Sequence, residues 1–296
     1  MLLTLPGWAP AYLVFVFLLF FLYLTIAEMW NLLAGFCGLV SLGQQIFLGV
    51  GGYMVAVMSV YYGMNIWLAL ILGGFVAVLF ALVVSIPLFR MRGDYFAIAS
   101  LVVGQAVLIL FSNWPYVRQG VGFMITASYN VSTNLEYYVA LVIGVGSVAL
   151  LYALLHSGFG LGLMAMRDDE VAAETLGVKI FRSKLYSFLI AAFVTGVAGG
   201  ALYIYQVFIQ PNSAFGMDWI IAMLFIVIIG GIGTIEGPII GSIIYVFLQQ
   251  YLSQYSGLNL LILGAIAIVV ILAAPRGIWG LVQERLTTEI LSPRRR

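Results

Sequence analysis

Apolar runs of membrane length recur from one end of this chain to the other, and that recurrence restricts the fold before any motif is considered. Ala11 to Ala27, Ile66 to Phe89, Tyr137 to Leu155 and Leu258 to Ala274 reach or approach the roughly 20 residues that carry a helix across about 30 Å of hydrocarbon. Composition agrees, since 64% of the 296 residues are hydrophobic and 8% are charged, against about 45–50% apolar residues in soluble domains. The fold class expected is all-α: a polytopic helical membrane protein of about 8–10 transmembrane segments. It forms one transmembrane domain over residues 1–296.

The segments expected are Tyr12 to Leu33, Gly43 to Tyr62, Ile66 to Phe89, Tyr95 to Ser112, Tyr137 to Leu155, Leu185 to Tyr205, Trp219 to Gly230, Pro238 to Tyr251 and Leu260 to Ala274. With the N-terminus outside and the C-terminus cytoplasmic, Arg90, Arg92, Arg167, Lys179, Arg182, Lys184, Arg276, Arg285 and Arg294 to Arg296 all fall on the cytoplasmic side. Only Arg118 lies outside, as the bias of basic loops predicts. Residues 276–296 read as a basic cytoplasmic tail. The first ten residues lack Lys and Arg, so the first apolar run reads as a retained span and not a cleaved leader.

Several functions fall away. A net charge of +1 with no basic face gives nucleic acid nothing to hold. Cys37 and His156 are each alone, which leaves neither a disulfide nor a multi-histidine or cysteine metal cage, so no metal is expected. No G-x-x-x-x-G-K-[ST] string, paired carboxylates or Ser-His-Asp order appears, so no catalytic residue is assigned. The string from Gly231 to Gly237 only approaches a dinucleotide fingerprint, with Glu236 at the third glycine position.

Glycines crowd two stretches. Gly35, Gly38, Gly43, Gly49, Gly51 and Gly52 surround the second segment, and Gly230, Gly231, Gly233, Gly237 and Gly241 accompany Pro238. Glycine weakens a helix but lets helices approach closely, or lets broken helices line a cavity. Gly43, Gly230, Gly231, Gly233, Gly237 and Pro238 are therefore candidate gate or helix-break positions. Amides and a carboxylate at membrane depth are candidates for a translocation path: Glu28, Asn31, Gln44, Gln45, Gln105 and Gln206. Such groups can meet the ammonium and carboxylate of an amino acid, or equally bond neighbouring helices.

The segment from His156 to Lys184 is the long polar interruption of this apolar chain. Asp168, Asp169 and Glu170 stand where a helix N-terminus favours negative charge, Val171 to Leu176 read as a short helix, and Gly177 stands where a left-handed residue ends it. A charged helix between two spans suits docking to a cytoplasmic partner. If ATP powers transport here, another chain must bind the nucleotide.

The run RDDEVAAETLGVKIFRSKLYSFLIAAFVTGVAGGALY, Arg167 to Tyr203, resembles the cytoplasmic loop and following helix of permease subunits from branched-chain amino acid ABC importers. NLLAGFCGLVSLGQQIFLGVGGY from Asn31, RGDYFAIASLVVGQ from Arg92, GGIGTIEGPIIGSII from Gly230 and APRGIWGL from Ala274 continue the likeness in family order. The resemblance implies that Arg167, Asp168, Asp169, Glu170, Ala172, Ala173 and Gly177 belong to a coupling helix that inserts into the ATPase subunit, the small alanine pair permitting close approach. It implies a second homologous permease, two ATPase subunits and an external solute-binding protein as partners, a multi-pass place in the cell membrane, and no cofactor on this chain, since ATP and Mg serve the partners. Two stretches depart from the pattern: Gln44 stands where relatives often carry His, and the outer loop reads RQGVGF from Arg118. Relatives also carry urea, short amides and other amino acids. The alternatives are thus a urea or short-amide permease, or an autonomous secondary transporter, which leaves the charged loop helix without a task.

Overall fold

The computed structural model describes residues 2–7, 9–91, 93–252, 259–274 and 276–285. After a 3₁₀ turn, Leu2–Gly7, the chain forms α1 (Ala11–Asn31), which widens into a π-helical turn, Leu32–Phe36, then α2 (Gln45–Tyr61), α3 (Ile66–Leu88) and α4 (Asp94–Asn113). Two 3₁₀ turns lead to β1 (Phe123–Met124), a third to α5 (Thr133–Leu155), then α6 (Gly158–Asp168), α7 (Glu170–Thr175) and α8 (Ile180–Gln206). The rest is β2 (Phe208–Ile209), α9 (Pro211–Phe215), α10 (Asp218–Gly230), α11 (Glu236–Leu252), α12 (Asn259–Ala273) and α13 (Gly277–Arg285). Local chemistry sets many of the starts. Asn65, Ser132 and Ser157 cap α3, α5 and α6 by accepting a backbone N–H with their side-chain oxygens, which satisfies donors that a helix cannot satisfy itself.

Among the described residues, seven helical stretches are long and apolar enough to span a membrane, α9 with α10 and α12 with α13 each counting as one stretch, and α2 is a shorter apolar helix. The protein is an all-α polytopic membrane protein. Every expected segment has its helix, displaced by a few residues at most ends; the largest shift is at α8, which starts at Ile180, five residues before the expected Leu185.

α1 is buried from Phe21 to Asn31 and packs on α5, α8, α10 and α11. α2, α3 and α8 form the tightest group because glycines let their backbones touch. A Cβ at Gly51 would stand 1.9 Å from Gly196 O, and one at Gly199 would stand 2.1 Å from Leu48 O. That is the close approach small residues provide where lipid offers no hydrophobic drive between helices. The opposite faces of α3, α4, α5 and α12 carry exposed Leu, Ile, Val and Phe side chains, such as Phe75, Val83, Val102, Val142 and Leu272, as a lipid-facing shell requires.

The two ends of the bundle differ. At one, β1 pairs antiparallel with β2, Phe123 opposite Ile209, and Tyr61 and Tyr62 bond to Tyr116. At the other, Phe89 meets Phe181 and Phe188, Arg167 reaches Gly35, and Gly231 abuts Arg276 and Gly277. Arg90, Arg167, Arg182, Lys184 and Arg276 thus share one end and Arg118 sits at the other. Arg92 and Arg294 to Arg296 lie outside the described residues. Residues 156–184 are not a loop with one short helix but α6, α7 and the first turn of α8. The tail begins as α13, whose Gly277 and buried Trp279 close on the turn after α10.

Candidate functional site

α7 is defined by residues on either side of it. Asp169 is its N-cap, its Oδ1 accepting from the N–H groups of Val171 at 2.8 Å and Ala172 at 3.0 Å. A carboxylate there also opposes the positive end of the helix dipole. Gly177, at φ +89°, takes the left-handed conformation that ends the helix and that a Cβ would disfavour. Lys184, from α8, donates through Nζ to Glu170 Oε1, tying the first turn of α7 to the bundle.

The resulting helix shows a distinct face. Val171 is 71% exposed and Leu176 80% exposed, with Ala172 and Glu174 exposed between them. Ala173 is buried at 1%. The alanine pair therefore splits: Ala172 looks outward and Ala173 seats the helix on its own protein. Asp168, the last residue of α6, is exposed and accepts from Arg167.

Arg167 does not point outward with the other loop charges. Its Nη1 donates to Gly35 O at 2.8 Å, while Nε and Nη2 donate to Asp168 Oδ1 at 3.2 and 2.8 Å. Gly35 lies in the π-helical turn beside the hairpin between α10 and α11. Within that hairpin Gly231 (φ +131°) and Gly233 (φ +71°) hold the reversal, and a Cβ at Gly230 would stand 1.9 Å from Gly237 O. Pro238 is buried in the first turn of α11, a position where its missing N–H costs nothing.

The path candidates separate into three places. Asn31 grips the hairpin, donating through Nδ2 to Thr234 O at 2.7 Å and accepting from Gly233 N–H at 2.8 Å on Oδ1. Glu28, one turn earlier, is fully buried, and both carboxyl oxygens lack a partner among the described residues. Gln44 and Gln45 form a second place, at the start of α2, and Gln105 stands on α4 next to Gly104, which Gln45 touches. The chain between the π-helical turn and α2 runs back along α1, where Trp30 Nε1 donates to Ser41 O at 2.8 Å. Gln44, just before α2, bonds to Thr195, fifteen residues beyond the start of α8, so α2 starts inside the bundle.

At this internal helix start Gly43 lies against Ser100 O, and Leu42 N–H donates to Ser100 Oγ at 2.9 Å. Gln44 Nε2 donates to Thr195 Oγ1 at 3.1 Å. Gln44 Oε1, both polar atoms of Gln45 and Gln105 Nε2 are buried without a partner among the described residues, and Gln45 Nε2 lies against Gly104. Gln206 stands apart, exposed at the far end of α8. No group of three or more His, Cys, Asp or Glu side chains is placed to hold a metal ion among the described residues.

Sequence reasoning missed Gly35, Thr234 and Lys184 as partners of the residues it singled out. Two are joined through contacts remote in the chain, Arg167 to Gly35 across 132 positions and Asn31 to Thr234 across 203, and Lys184 reaches Glu170 across 14. The Asn31 and Gly35 spacing of one helical turn was the available signal.

Comparison with known proteins adds a further observation. A family profile described as branched-chain amino acid transport system / permease component matches residues 12–274. The chain is 29% identical over 286 residues to the high-affinity branched-chain amino acid transport system permease protein LivM of Escherichia coli (strain K12), covering 86% of this chain and 67% of that protein. It is 28% identical over 216 residues to the probable branched-chain amino acid transport permease protein LivH of Methanocaldococcus jannaschii, covering 69% and 64%. It is also 22% identical over 189 residues to the nucleoside ABC transporter permease protein NupC of Lactococcus lactis subsp. cremoris, covering 56% and 58%. No solved structure gives a significant match.

Proposed function

The chain belongs to the family of permease components of branched-chain amino acid transport systems, and on that premise we propose how it works. It is a multi-pass ABC transport permease of a family of transporters, not of enzymes. It pairs with a second, homologous permease, as the likeness to both LivM and LivH supports, and branched-chain or closely related amino acids pass between them. An external binding protein delivers the solute. Two separate ATPase subunits bind and hydrolyse the nucleotide with Mg, and this chain holds no cofactor.

The observation that carries this reading is α7. It presents Val171, Ala172 and Leu176 to solvent at the end of the bundle rich in basic residues, while Asp169, Glu170–Lys184 and buried Ala173 fix it in place. An exposed apolar face held so firmly suits a partner cleft better than open water. The amides at the start of α2 line the path, with unpaired acceptors for an ammonium and N–H donors for a carboxylate. Glu28 and Asn31 flank the gate hairpin at Gly230 to Pro238, Gly43 forms the second break, and Gln206 sits at the outer mouth. Solubilised from its native membrane, the chain should co-purify with a second permease and with two ATPase chains per permease pair. A lone chain that transports fully after reconstitution sinks the proposal.

The orientation places the N-terminus outside and α7 in the cytoplasm, by the basic-residue bias. Cysteine in place of Tyr129, exposed at one end, should react with an impermeant thiol reagent in intact cells, and cysteine in place of Leu176 only after the membrane is opened. Cys37, buried at 2%, is replaced by Ser beforehand. The reverse labelling pattern would invert the topology.

A further inference from the structure

A continuous line of direct contacts joins α7 to the hairpin between α10 and α11. Arg167 and Asp168 close the last turn of α6, and Asp169, the next residue, caps α7. The guanidinium donates from Nε and Nη2 to Asp168 Oδ1 and from Nη1 to Gly35 O, a geometry that fixes the group more firmly than a single point charge does. Its stem lies over Gly38, where a Cβ would stand 3.2 Å from Arg167 Cγ. Gly35 has no room for a side chain: a Cβ would fall 2.2 Å from Asn31 Oδ1 and 2.6 Å from Gly233 N. Asn31 then takes hold of the hairpin through one bond given to Thr234 O and one accepted from Gly233 N–H.

The middle of this line is the π-helical turn, Leu32–Phe36. A π turn inserts an extra residue into the helical ladder, and such turns recur at functional positions. Here it brings Gly35 O under Arg167 while leaving Asn31, on the preceding α-helical turn, aimed at the hairpin. Each residue in the line touches the next directly, Arg167 through its guanidinium and Asn31 through its amide. Packed contacts of this kind shift as units and do not stretch.

We infer that Arg167 and Asn31 are positioning residues that carry displacement of the docking helix to the Gly231–Ile235 hairpin. The inference rests on the proposed docking of an ATPase at α7. Arg167 holds the π-helical turn against the α6–α7 unit, and Asn31 holds the hairpin against the same turn. Neither touches the ATPase or the solute. Movement of α7 therefore moves the hairpin, and the hairpin closes or opens the cytoplasmic side of the bundle.

The test uses the complete importer, reconstituted with its ATPases and binding protein, in a Cys37→Ser background. Arg167→Lys, Arg167→Ala and Asn31→Asp are compared with the parent. Asn31→Asp keeps the shape and the bond from Gly233 N–H but removes the donor to Thr234 O. ATPase co-purification should be retained in all three, while solute moved per ATP hydrolysed falls about tenfold in Arg167→Ala and Asn31→Asp, with Arg167→Lys between them and the parent. Spin labels at Leu161 of α6 and Ile232, both exposed, should keep a constant separation when ATP is trapped in the parent and change separation in Arg167→Ala.

Unaltered transport per ATP in the two conservative variants, or equal label separations in parent and Arg167→Ala, overturns the inference. Loss of the ATPase from Arg167→Lys would do so as well, because it puts Arg167 in the docking surface and leaves the docking proposal intact. The docking proposal fails separately, if Ala172→Trp keeps full activity. Should Arg167→Ala not assemble, Arg167→Lys and Asn31→Asp decide the question.

Discussion

Replacing Ala172 by Trp should remove most of the ATP hydrolysis that loaded binding protein elicits, roughly tenfold or more, while membrane abundance stays near normal. The reason is geometric. Ala172 looks outward between Val171 and Leu176, and Ala173, not Ala172, is the residue buried against the protein's own bundle. The indole therefore meets no part of this chain's core. In the proposed complex it meets the partner cleft, where forcing a large group into a close-packed contact costs about 1–3 kcal/mol, and each 1.4 kcal/mol is a factor of about ten in occupancy. Ala173→Trp should behave differently: it overpacks the seat of α7 and lowers folded protein as well as hydrolysis. The contrast between neighbouring alanines separates loss of docking from loss of folding.

The second large effect is expected at the internal start of α2, with opposite signs in stability and transport. Gln45 is fully buried and both its amide atoms lack a partner among the described residues. An unpaired buried polar group costs about 1–3 kcal/mol, and an apolar group of the same shape removes that cost. Gln45→Leu should thus raise the thermal midpoint of the purified chain, yet reduce transport about tenfold or more, since on the proposed path the amide meets the solute only as it passes. Thermal unfolding followed alongside uptake gives both signs at once. If Gln45 merely tied α2 to α4, the variant would lose stability and transport together. Gln44→Leu, which breaks the bond to Thr195, should gain less stability than Gln45→Leu.

Much of the frame was legible because lipid as solvent reduces the choices. Apolar length located the spans, and the positions of Arg and Lys grouped the loops at two ends. α7 was legible for a local reason: Asp169 and Gly177 signal a helix start and stop within nine residues, and both signals hold in the folded chain. α6 was not. Its sequence GFGLGLMAMRD carries three glycines, poor helix formers by about 1 kcal/mol each, and it stands as a helix because Leu163 and Met166 are buried.

Other features have no local signature at all. β1 and β2 are two residues each, too short to show an alternating period, and their pairing joins remote parts of the chain. The inward turn of Arg167 depends on Gly35 O, and composition grouped it with the outward charges of its loop. By sequence alone Asn31 and Gln44 are alike, both polar groups at membrane depth. The difference between a residue that clamps a hairpin and one that leaves an acceptor unpaired appears only when Thr234, Gly233 and Thr195 are in place.

The claim on which the rest depends is that α7 is the element an ATPase grips. It is tested most directly by measuring ATP hydrolysis in vesicles holding matched amounts of the parent and Ala172→Trp complexes, with and without solute-loaded binding protein. The account predicts strong stimulation in the parent and loss of most of it in Ala172→Trp, with binding-protein docking unchanged. Equal stimulation in the two would contradict it, and would leave α7 an ordinary solvated turn between two spans.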